Sequence, residues 1–449
     1  MNLRAIAQNI PDYPSFFTVD ELFASTANLH QAYPDNMQVE KVGVSRQGDP
    51  METIRIGSGS VQAVVIGGSH PNEPLGCMVI DYFTRLLCED DALRESLDYT
   101  WHFIKCVDPD ATRRNEGWFK APFRIPKYFR HFFRPPLIMQ PEFTFPYQYK
   151  GFEFDTPLPE TKAIMAVFEQ AQPDFFYSLH CGGYGGSFYD VSEPCEPLYK
   201  LLQDIRSWFD LHVLAHELIV EDVPGWPLLE DGIYQHVGTD WRIDDLEAKG
   251  VVNPASEIQH GGTGFDMAMK YGAFSLNAEV DYCQDARVAD TSLTDVPLAE
   301  AMAQHSAFLN SIAALTPAVL PAINDFRLEF NRALVPHLNL PQPGNDAAAT
   351  VEGMATVVQL IAHTELPQFV VMREIGQLLG MLDDEIADGN PSPHITSSQQ
   401  LLTEQFDRVW KSVEDKLQYR VVPLRDLIGY QLCAGLAAAA YVRDQRQRK

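Results

Sequence analysis

The sequence has little of what secreted, membrane-spanning or nucleic-acid-binding proteins require. Its 7 cysteines are scattered, odd in number and never spaced as Cys-x-x-Cys, which excludes a dense disulfide framework. No stretch approaches the roughly 18 consecutive apolar residues that a membrane helix needs, and the first residues lack the pattern of a secretory signal. We therefore expect a protein of the reducing cytoplasm without a membrane partner.

Positive charge is also scarce. The chain carries 34 Lys and Arg against 61 Asp and Glu, a formal net charge of −27, whereas nucleic acids and anionic membranes are bound by basic surfaces. We therefore expect no nucleic-acid partner. What is present is the composition of an ordinary globular protein, with 45% hydrophobic and 21% charged residues. A length of 449 residues favours two domains.

The order of predicted elements divides the chain. Residues 1–295 alternate buried strands with amphipathic helices, which predicts an α/β domain with a mixed, largely parallel sheet and helices on both faces. Residues 296–449 show helical periods without strand signals and are predicted to form a mainly helical C-terminal domain or extension. Three roles fit this region: an oligomerisation element, a lid over a cleft, or packing for an exposed face of the sheet.

The stretch 61–76 ends a buried strand in two residue types that bind metals. An apolar, β-branched run stops at a Gly-Gly pair, and His70 and Glu73 follow. Later in the chain, a second buried strand is followed by His180 and a glycine-rich turn. The carboxyl ends of parallel strands share one edge of the sheet, where open α/β folds bind their ligands. We therefore expect these three side chains to converge.

The chemistry of such a site needs further residues. Two imidazoles, one carboxylate and an open position for water make a catalytic zinc site, and the water needs a base and an oxyanion-stabilising cation. Glu279, a carboxylate in an otherwise apolar strand, can be the base, and Arg113 or Arg114 can supply the cation. The alternative is that the histidines, the glutamates and the arginines have only structural roles. A lone His-x-x-Glu pair often occurs by chance, and arginines in turns are usually solvated.

A second cluster of metal-binding residue types competes with the first. His212 and His216 are spaced i, i+4, but Glu217 lies outside the pair and the local sequence is short and β-branched. A strand is therefore as consistent with this segment as a helix. The sequence favours surface or core histidines here over a metal site.

Several motifs occur in an order that resembles one family. A Gly-x-Ser-x-x-Gly lead-in is followed by the His-x-x-Glu pair, by "DPDATRRN", by a Pro-Glu-Thr helix before the second histidine, and by "NAEVDY". Over roughly residues 15–290 they resemble the zinc carboxypeptidases, a clan that includes peptidoglycan-peptide amidases and N-acyl-amino-acid deacylases. That fold is an α/β sheet domain, whereas the helical tail has no counterpart in the family.

The resemblance implies roles for individual residues. It implies one Zn²⁺ per chain, held by three ligands: His70, Glu73 and His180. It implies Glu279 as general base and acid, and Arg113, in preference to Arg114, as the oxyanion-stabilising arginine. It also implies Arg130 and Asn115 as substrate-binding residues, since a guanidinium fork suits a substrate carboxylate.

The chain departs from the family pattern at several positions. Phe129 stands where asparagine is usual, Asp108 replaces an asparagine and Ala111 a glycine. Asn72 stands where the digestive-type carboxypeptidases have arginine, and His-x-Asn-Glu is seen more in the amidase and deacylase branches. The glycine-rich segment 260–266 is a candidate lid over the substrate. These departures bear on the substrate rather than on the zinc chemistry.

The expected function is zinc-dependent hydrolysis of peptide or peptide-like amide bonds, of the carboxypeptidase type that removes a C-terminal residue. One alternative changes the substrate and makes the protein an N-acyl-amino-acid deacylase or a γ-glutamyl cell-wall-peptide amidase. Another alternative is a non-catalytic binding protein of the same fold. The presence of all three ligands and the base argues against it. The expected partner is a peptide or acyl-amino-acid substrate, and an oligomer through the C-terminal helices remains open.

Overall fold

A mixed β-sheet forms the centre of the molecule, and the computed structural model describes residues 1–222, 225–338 and 351–448 around it. The strands are β1 Met37–Val44, β2 Pro50–Ile56, β3 Val61–Gly67, β4 Tyr99–Ile104, β5 Tyr147–Tyr149, β6 Phe152–Phe154, β7 Phe175–Leu179, β8 Gly182–Gly185, β9 Ser187–Val191, β10 Leu228–Glu230, β11 Ile233–Gln235, β12 Phe274–Gln284, β13 Leu293–Pro297, β14 Met354–Thr356 and β15 Arg420–Val421. The main sheet has the order β1-β2-β4-β3-β7-β12-β9-β11-β10, with β8 and β15 paired to β12.

The centre of this sheet is parallel. Strands β4, β3, β7 and β12 run in the same direction, whereas β1, β2 and β9 join through antiparallel pairs. Along β3, Val61, Ala63 and Val65 enter one hydrophobic core and Val64 and Ile66 enter another. Apart from Gln62, the strand is apolar because both faces of a parallel sheet are covered. The predicted fold class is confirmed.

The helices are α1 Leu3–Gln8, α2 Val19–Ala32, α3 Leu75–Glu89, α4 Asp91–Leu97, α5 Pro109–Arg113, α6 Glu116–Phe119, α7 Ile125–Arg130, α8 Pro159–Ala171, α9 Glu196–Trp208, α10 His216–Asp222, α11 Thr239–Ala248, α12 Gly264–Met269, α13 Leu298–Ala313, α14 Thr316–Asn324, α15 Glu329–Leu334, α16 Val357–Thr364, α17 Leu366–Ala387, α18 Pro393–Val413 and α19 Leu424–Arg448. Helices α3 and α19 cover one face of the sheet, and α8 and α12 cover the other. Within the described ranges no single helix is long and apolar enough to cross a membrane, although the bent pair α13 and α14 passes that test by length and composition alone.

Most of the predicted elements are present. Thr18 and Glu21 form a capping box at the start of α2, and β1 and β2 form an antiparallel hairpin. The sequence of 221–264 is rich in loop signals, and the segment also contains β10, β11 and α11. These two strands have three residues each, too few to show a period. The pair β13 and β14 was not predicted. A helical period predicts a helix over 347–363, and the start of that range lies outside the described residues.

The last helix packs on the sheet rather than apart from it. The Tyr177 hydroxyl on β7 donates to the Gln431 carbonyl oxygen at 2.8 Å, and the Gln431 side chain donates to the Ala278 carbonyl oxygen on β12 at 2.9 Å. At the other end of α19, the Tyr99 hydroxyl donates to the Ala439 carbonyl oxygen at 2.8 Å. This part of the C-terminal region therefore covers a face of the sheet. The division of the chain at residue 296 stays a prediction.

Candidate metal centre

The loop after β3 carries the first two candidate ligands. His70 and Glu73 lie on the turn between β3 and α3, and the Glu73 backbone N–H donates to the His70 carbonyl oxygen at 2.9 Å. A Cβ atom on Gly67 would lie 2.7 Å from the carbonyl carbon of Gly76. The loop can fold back on the start of α3 only because these positions lack side chains.

The other predicted ligand lies on the adjacent strand. His180 follows β7 directly, and β7 is the parallel neighbour of β3. One ligand atom from each of His70, Glu73 and His180 lies within 4.8 Å of the others, the only such group of His, Cys, Asp or Glu found in the described part of the chain. The ring centroids of the two histidines are 4.8 Å apart. The strand-end loops thus bring the predicted metal ligands together.

His180 is held from both sides by carboxylates. Its Nδ1 lies 3.3 Å from Glu73 Oε2 and its Nε2 lies 3.1 Å from Glu142 Oε2, with the Ser178 hydroxyl 2.8 Å from Nε2. Burial lowers the pKa of His180, but the two carboxylates more than offset this and hold the pKa well above its usual value. A carboxylate behind a histidine is the arrangement that fixes the tautomer of metal-binding histidines.

His70 has contacts at both ring nitrogens. Nδ1 lies 2.5 Å from Gln140 Oε1 and Nε2 lies 2.6 Å from an Arg134 guanidinium nitrogen, while the ring stacks on Phe143. Burial, followed by the charges of Arg134 and His180, lowers the pKa of His70 well below its usual range. The neutral imidazole is the form that binds a metal. The residue types of the donor set fit zinc, and a bound metal ion would replace the proton of His180 and one of the two ring contacts of His70.

Arg134 is the cation of this site, and the sequence did not single it out. Its guanidinium lies 3.4 Å from Glu73 Oε1 as well as against His70, and 30% of its side-chain surface is exposed. The residue lies in the segment "YFRHFFRP", which also contains Arg130, the residue that the family resemblance implies. A signal was therefore present, but it pointed to Arg130, four residues earlier.

The arginines expected from the sequence to act at the site lie elsewhere. Arg113 binds Asp49 at 2.8 Å and Asp20 at 2.7 Å, which tie it to the β1–β2 turn and to α2. Arg114 pairs with Asp384 on α17. Neither arginine lines the cavity that contains the candidate ligands.

The expected substrate-binding residues also have structural partners. Arg130 pairs with Asp383 on α17 at 2.8 Å. Asn115 is fully buried; its amide donates to the Phe133 carbonyl oxygen at 2.8 Å and its carbonyl oxygen accepts from the Phe133 N–H at 3.0 Å. Asn115 therefore supports the segment that presents Arg134 and does not itself reach the cavity.

Glu279 lies where the sequence expects a general base. The residue is on β12, the parallel neighbour of β7, and it lines the same cavity as the candidate ligands. The Asn277 side chain donates to Glu279 Oε2 at 3.3 Å. Burial, followed by the charge of Glu73, raises the pKa of Glu279 to about 8, so this carboxyl group can exchange a proton near neutral pH.

The cavity around these residues has a volume of about 1410 Å³. Its floor is the carboxyl edge of the sheet, and the segment 260–266, the candidate lid, contributes His260, Thr263 and Phe265 to the wall. The C-terminal region forms another part of the wall through His305, Phe369 and Arg373, among others. The helices after residue 296 therefore form part of the cavity wall.

The rival cluster forms no comparable group. His216 Nδ1 lies 3.2 Å from the Tyr234 hydroxyl, and the two rings stack with centroids 5.7 Å apart. Within the described ranges, neither His212 nor Glu217 joins His216 in a set of potential ligands. The sequence-based preference for ordinary histidines at these positions agrees with this arrangement.

The fold and the site together define an α/β protein with a His-Glu-His centre at the carboxyl edge of its sheet. The zinc carboxypeptidase family model matches residues 22–120 of this chain, the part that contains His70 and Glu73. This match confirms the resemblance to that family. No curated protein sequence matches the chain significantly.

Several solved structures are similar to this chain at low sequence identity. A carboxypeptidase A from Helicoverpa armigera is 17% identical, with 62% of this chain and 69% of that chain covered at a TM-score of 0.37. A metallo-carboxypeptidase from Burkholderia cenocepacia is 14% identical, with 60% and 61% covered at 0.36. A Shewanella amazonensis protein, given only a provisional metallopeptidase assignment, is 12% identical, with 59% and 84% covered at 0.40.

Proposed function

We propose that the protein is a zinc-dependent hydrolase of peptide or peptide-like amide bonds, of the type that removes a C-terminal residue. The observation that carries the proposal is the convergence of His70, Glu73 and His180 at the ends of neighbouring parallel strands, with Glu279 on the next strand. A set of two imidazoles and one carboxylate is a zinc-hydrolase ligand set. The family match over residues 22–120 supports the same chemistry.

Zinc bound by these ligands supplies a Lewis acid and lowers the pKa of water near it toward neutrality. The remaining steps belong to side chains of the chain. Glu279 takes the proton of the attacking water and delivers it to the leaving amine, a use that suits a carboxyl group with a raised pKa. Glu142 and Ser178 hold His180 at Nε2, so that Nδ1 faces Glu73.

Arg134 supplies the positive charge that the reaction needs. Its guanidinium faces the cavity beside Glu73 and His70, where it can stabilise the oxyanion that develops on the substrate carbonyl. We assign this role to Arg134 rather than to Arg113, because Arg113 is paired with Asp49 and Asp20 away from the cavity.

A second candidate function is release of an acyl group from an acylated amino acid, or cleavage of a γ-glutamyl link in a cell-wall peptide fragment. The observation that favours it is the part of the cavity wall that the C-terminal helices form, including Phe369 and Arg373. An added wall leaves less room for a long peptide than for a small substrate. Asn72, which donates to the Tyr128 hydroxyl at 3.3 Å, gives the His-x-Asn-Glu pattern of the same branches.

The test uses zinc-loaded wild-type protein and the Glu279→Gln variant on two substrate sets, peptides with different C-terminal residues and N-acyl amino acids. We expect Glu279→Gln to lower kcat by about 10²- to 10⁴-fold while stoichiometric zinc is retained, because Glu279 is not among the grouped ligands. Glu217→Gln, a change on α10 outside the grouped ligands, is the matched control and should leave both values unchanged. Full activity of Glu279→Gln would refute the role of Glu279, and a protein that binds no zinc would refute the proposed function.

A further inference from the structure

The neighbouring strands β7 and β12 separate beside the candidate metal ligands. The pairing of β7 with β12 ends at Ser178 and Asn277, and the pairing of β8 with β12 begins at Gly182. The backbone of 179–181 and the facing part of β12 lie between these two ladders. A backbone carbonyl that faces such a gap lacks its partner in the ladder, and a buried carbonyl without a donor costs free energy. The gap therefore needs donors from another part of the chain.

The C-terminal helix α19 supplies these donors. The side-chain nitrogen of Gln431 donates to the His180 carbonyl oxygen at 2.5 Å and to the Ala278 carbonyl oxygen at 2.9 Å. Because carbonyl oxygens can only accept hydrogen bonds, the nitrogen of the amide and not its oxygen must face them. One side-chain amide thus bridges the backbones of two strands at the point where their ladder is interrupted.

This orientation of Gln431 has a cost. The residue is fully buried, and its side-chain oxygen Oε1 has no hydrogen-bond partner. Buried acceptors without partners are rare in folded proteins, and an apolar side chain of similar length would leave no such oxygen. The unpaired Oε1 therefore points to a role for the two hydrogen bonds that the nitrogen donates.

The His180–Cys181 peptide group links Gln431 to two of the proposed ligands. Its carbonyl oxygen accepts from Gln431, and its N–H, at Cys181, donates to Glu73 Oε2 at 3.1 Å. The same Glu73 oxygen lies 3.3 Å from His180 Nδ1. A hydrogen bond at the carbonyl oxygen polarises the peptide group and strengthens its N–H as a donor. Gln431 therefore acts on Glu73 through a single peptide group, and on His180 through the backbone that carries its side chain.

The preceding residue on α19 contacts the strand that carries the proposed general base. The Tyr430 hydroxyl lies 3.3 Å from the Glu279 carbonyl oxygen and 3.3 Å from the Phe188 carbonyl oxygen. Consecutive residues of the C-terminal helix thus contact the backbone of a proposed ligand and the backbone of the proposed base. The position of α19 is in this way tied to the geometry of the metal centre.

We propose that Gln431 is a positioning residue of the metal centre, whose amide holds the His180–Cys181 peptide group in the orientation that directs His180 and Glu73 toward one metal ion. The inference rests on the proposed function for the identity of these ligands. Without the amide, the peptide group can rotate away from Glu73 Oε2, because the β7–β12 ladder has ended before His180. The C-terminal helix thereby contributes to metal binding from beneath the edge of the sheet.

The test compares the full-length Gln431→Met variant with the wild-type protein. Methionine is also unbranched and flexible but has no N–H donor, so both hydrogen bonds are lost and the space stays filled. Zinc affinity, titrated against a competing chelator, should weaken about tenfold, the lower end of the loss expected when an outer partner of a metal ligand is removed. The visible absorption bands of the Co²⁺-substituted protein, which respond to ligand geometry, should shift in the same variant.

Tyr99→Phe is the matched control. The Tyr99 hydroxyl also joins α19 to a strand, through the Ala439 carbonyl oxygen at 2.8 Å, but neither of these residues lines the cavity. This variant should lower the urea midpoint of unfolding, as Gln431→Met does, and leave zinc affinity and the Co²⁺ spectrum unchanged. The paired readouts separate support of the metal centre from support of the fold.

The outcomes separate the inference from the proposed function. Weaker zinc binding and a shifted Co²⁺ spectrum in Gln431→Met alone support the inference, even if no peptide or acyl amino acid is hydrolysed, in which case only the proposed function fails. Wild-type zinc affinity and an unshifted spectrum in Gln431→Met overturn the inference, and hydrolysis by the wild-type protein then leaves the proposed function standing. A wild-type protein that binds no zinc overturns both. If Gln431→Met does not fold, Gln431→Asn, whose amide is one methylene shorter, decides by the same readouts.

Discussion

The strand-end loops and the wall around them contribute differently to the candidate site. His70, Glu73 and His180 lie on short connections at the ends of neighbouring strands, and the sheet fixes their positions. Arg134 and Glu142 lie on the segment between α7 and β5. Contacts with other parts of the chain fix the positions of these two side chains. A parallel sheet thus determines where the metal ligands meet, whereas the irregular wall supplies the charge and the support around them.

The largest effect is expected at the strand ends. His180→Ala removes one of the three grouped ligands, and zinc binding should weaken by more than the roughly 10- to 100-fold that loss of an outer partner causes. Zinc titration against a competing chelator measures the effect. His216→Ala is the control, because this histidine contacts Tyr234 outside the group. Equal zinc affinity of the two variants would contradict the assignment of His180 as a ligand.

A large effect on turnover is expected in the wall. Arg134→Met should lower kcat/KM by about 10²- to 10³-fold, the loss expected when an oxyanion-stabilising donor is removed. Zinc content at saturating zinc should not change, because Arg134 is not one of the three grouped ligands. The measurement is steady-state kinetics on the best substrate of the panel, with zinc content as the parallel readout.

Arg113→Met is the matched control for Arg134→Met. Arg113 binds Asp49 and Asp20 away from the cavity, so its removal should leave kcat/KM within about twofold, as expected for a partly exposed ion pair of small energetic weight. A greater loss of kcat/KM in Arg113→Met than in Arg134→Met would restore the assignment that the family resemblance suggests.

An intermediate effect is expected for the carboxylate behind His180. Glu142→Gln keeps the shape of the side chain and removes its charge, and zinc affinity should fall about 10- to 100-fold. Glu160→Gln is the control, since Glu160 is also buried but pairs with Arg46 and not with His180. That variant should lose stability without losing zinc affinity. Unchanged zinc affinity in Glu142→Gln would show that Glu142 plays no part in orienting His180.

The difference between strand ends and wall also explains what the sequence could predict. The apolar run of β3, its Gly-Gly stop and the following His70 and Glu73 are local features, and so is the placement of His180 after β7. A parallel sheet converts these local features into a shared location. The alternation of strand and helix was sufficient for the fold class.

The wall could not be predicted in this way. Arg130 is the last residue of α7 and turns to Asp383, whereas Arg134 lies beyond the helix and reaches Glu73. The position of α17, far along the sequence, gives Arg130 a partner away from the candidate ligands, and Arg134 reaches them instead. The side chain of Glu142 likewise gains its role from His180, a contact across 38 residues of chain. Tertiary contacts of this kind leave no periodic signal.

The smallest effect is expected beneath the strand ends, where α19 supports β7. A Cβ atom on Gly435 would lie 2.5 Å from the buried Tyr177 ring, and the overpacking in Gly435→Ala should lower the free energy of unfolding by about 1–3 kcal/mol. On α17, Gly380 has no atom within 4 Å of such a Cβ, and Gly380→Ala should raise the free energy by roughly 0.4–1 kcal/mol. Urea unfolding compares the two variants. If both changes stabilise the protein, the close packing of α19 on β7, the strand that leads to His180, is refuted.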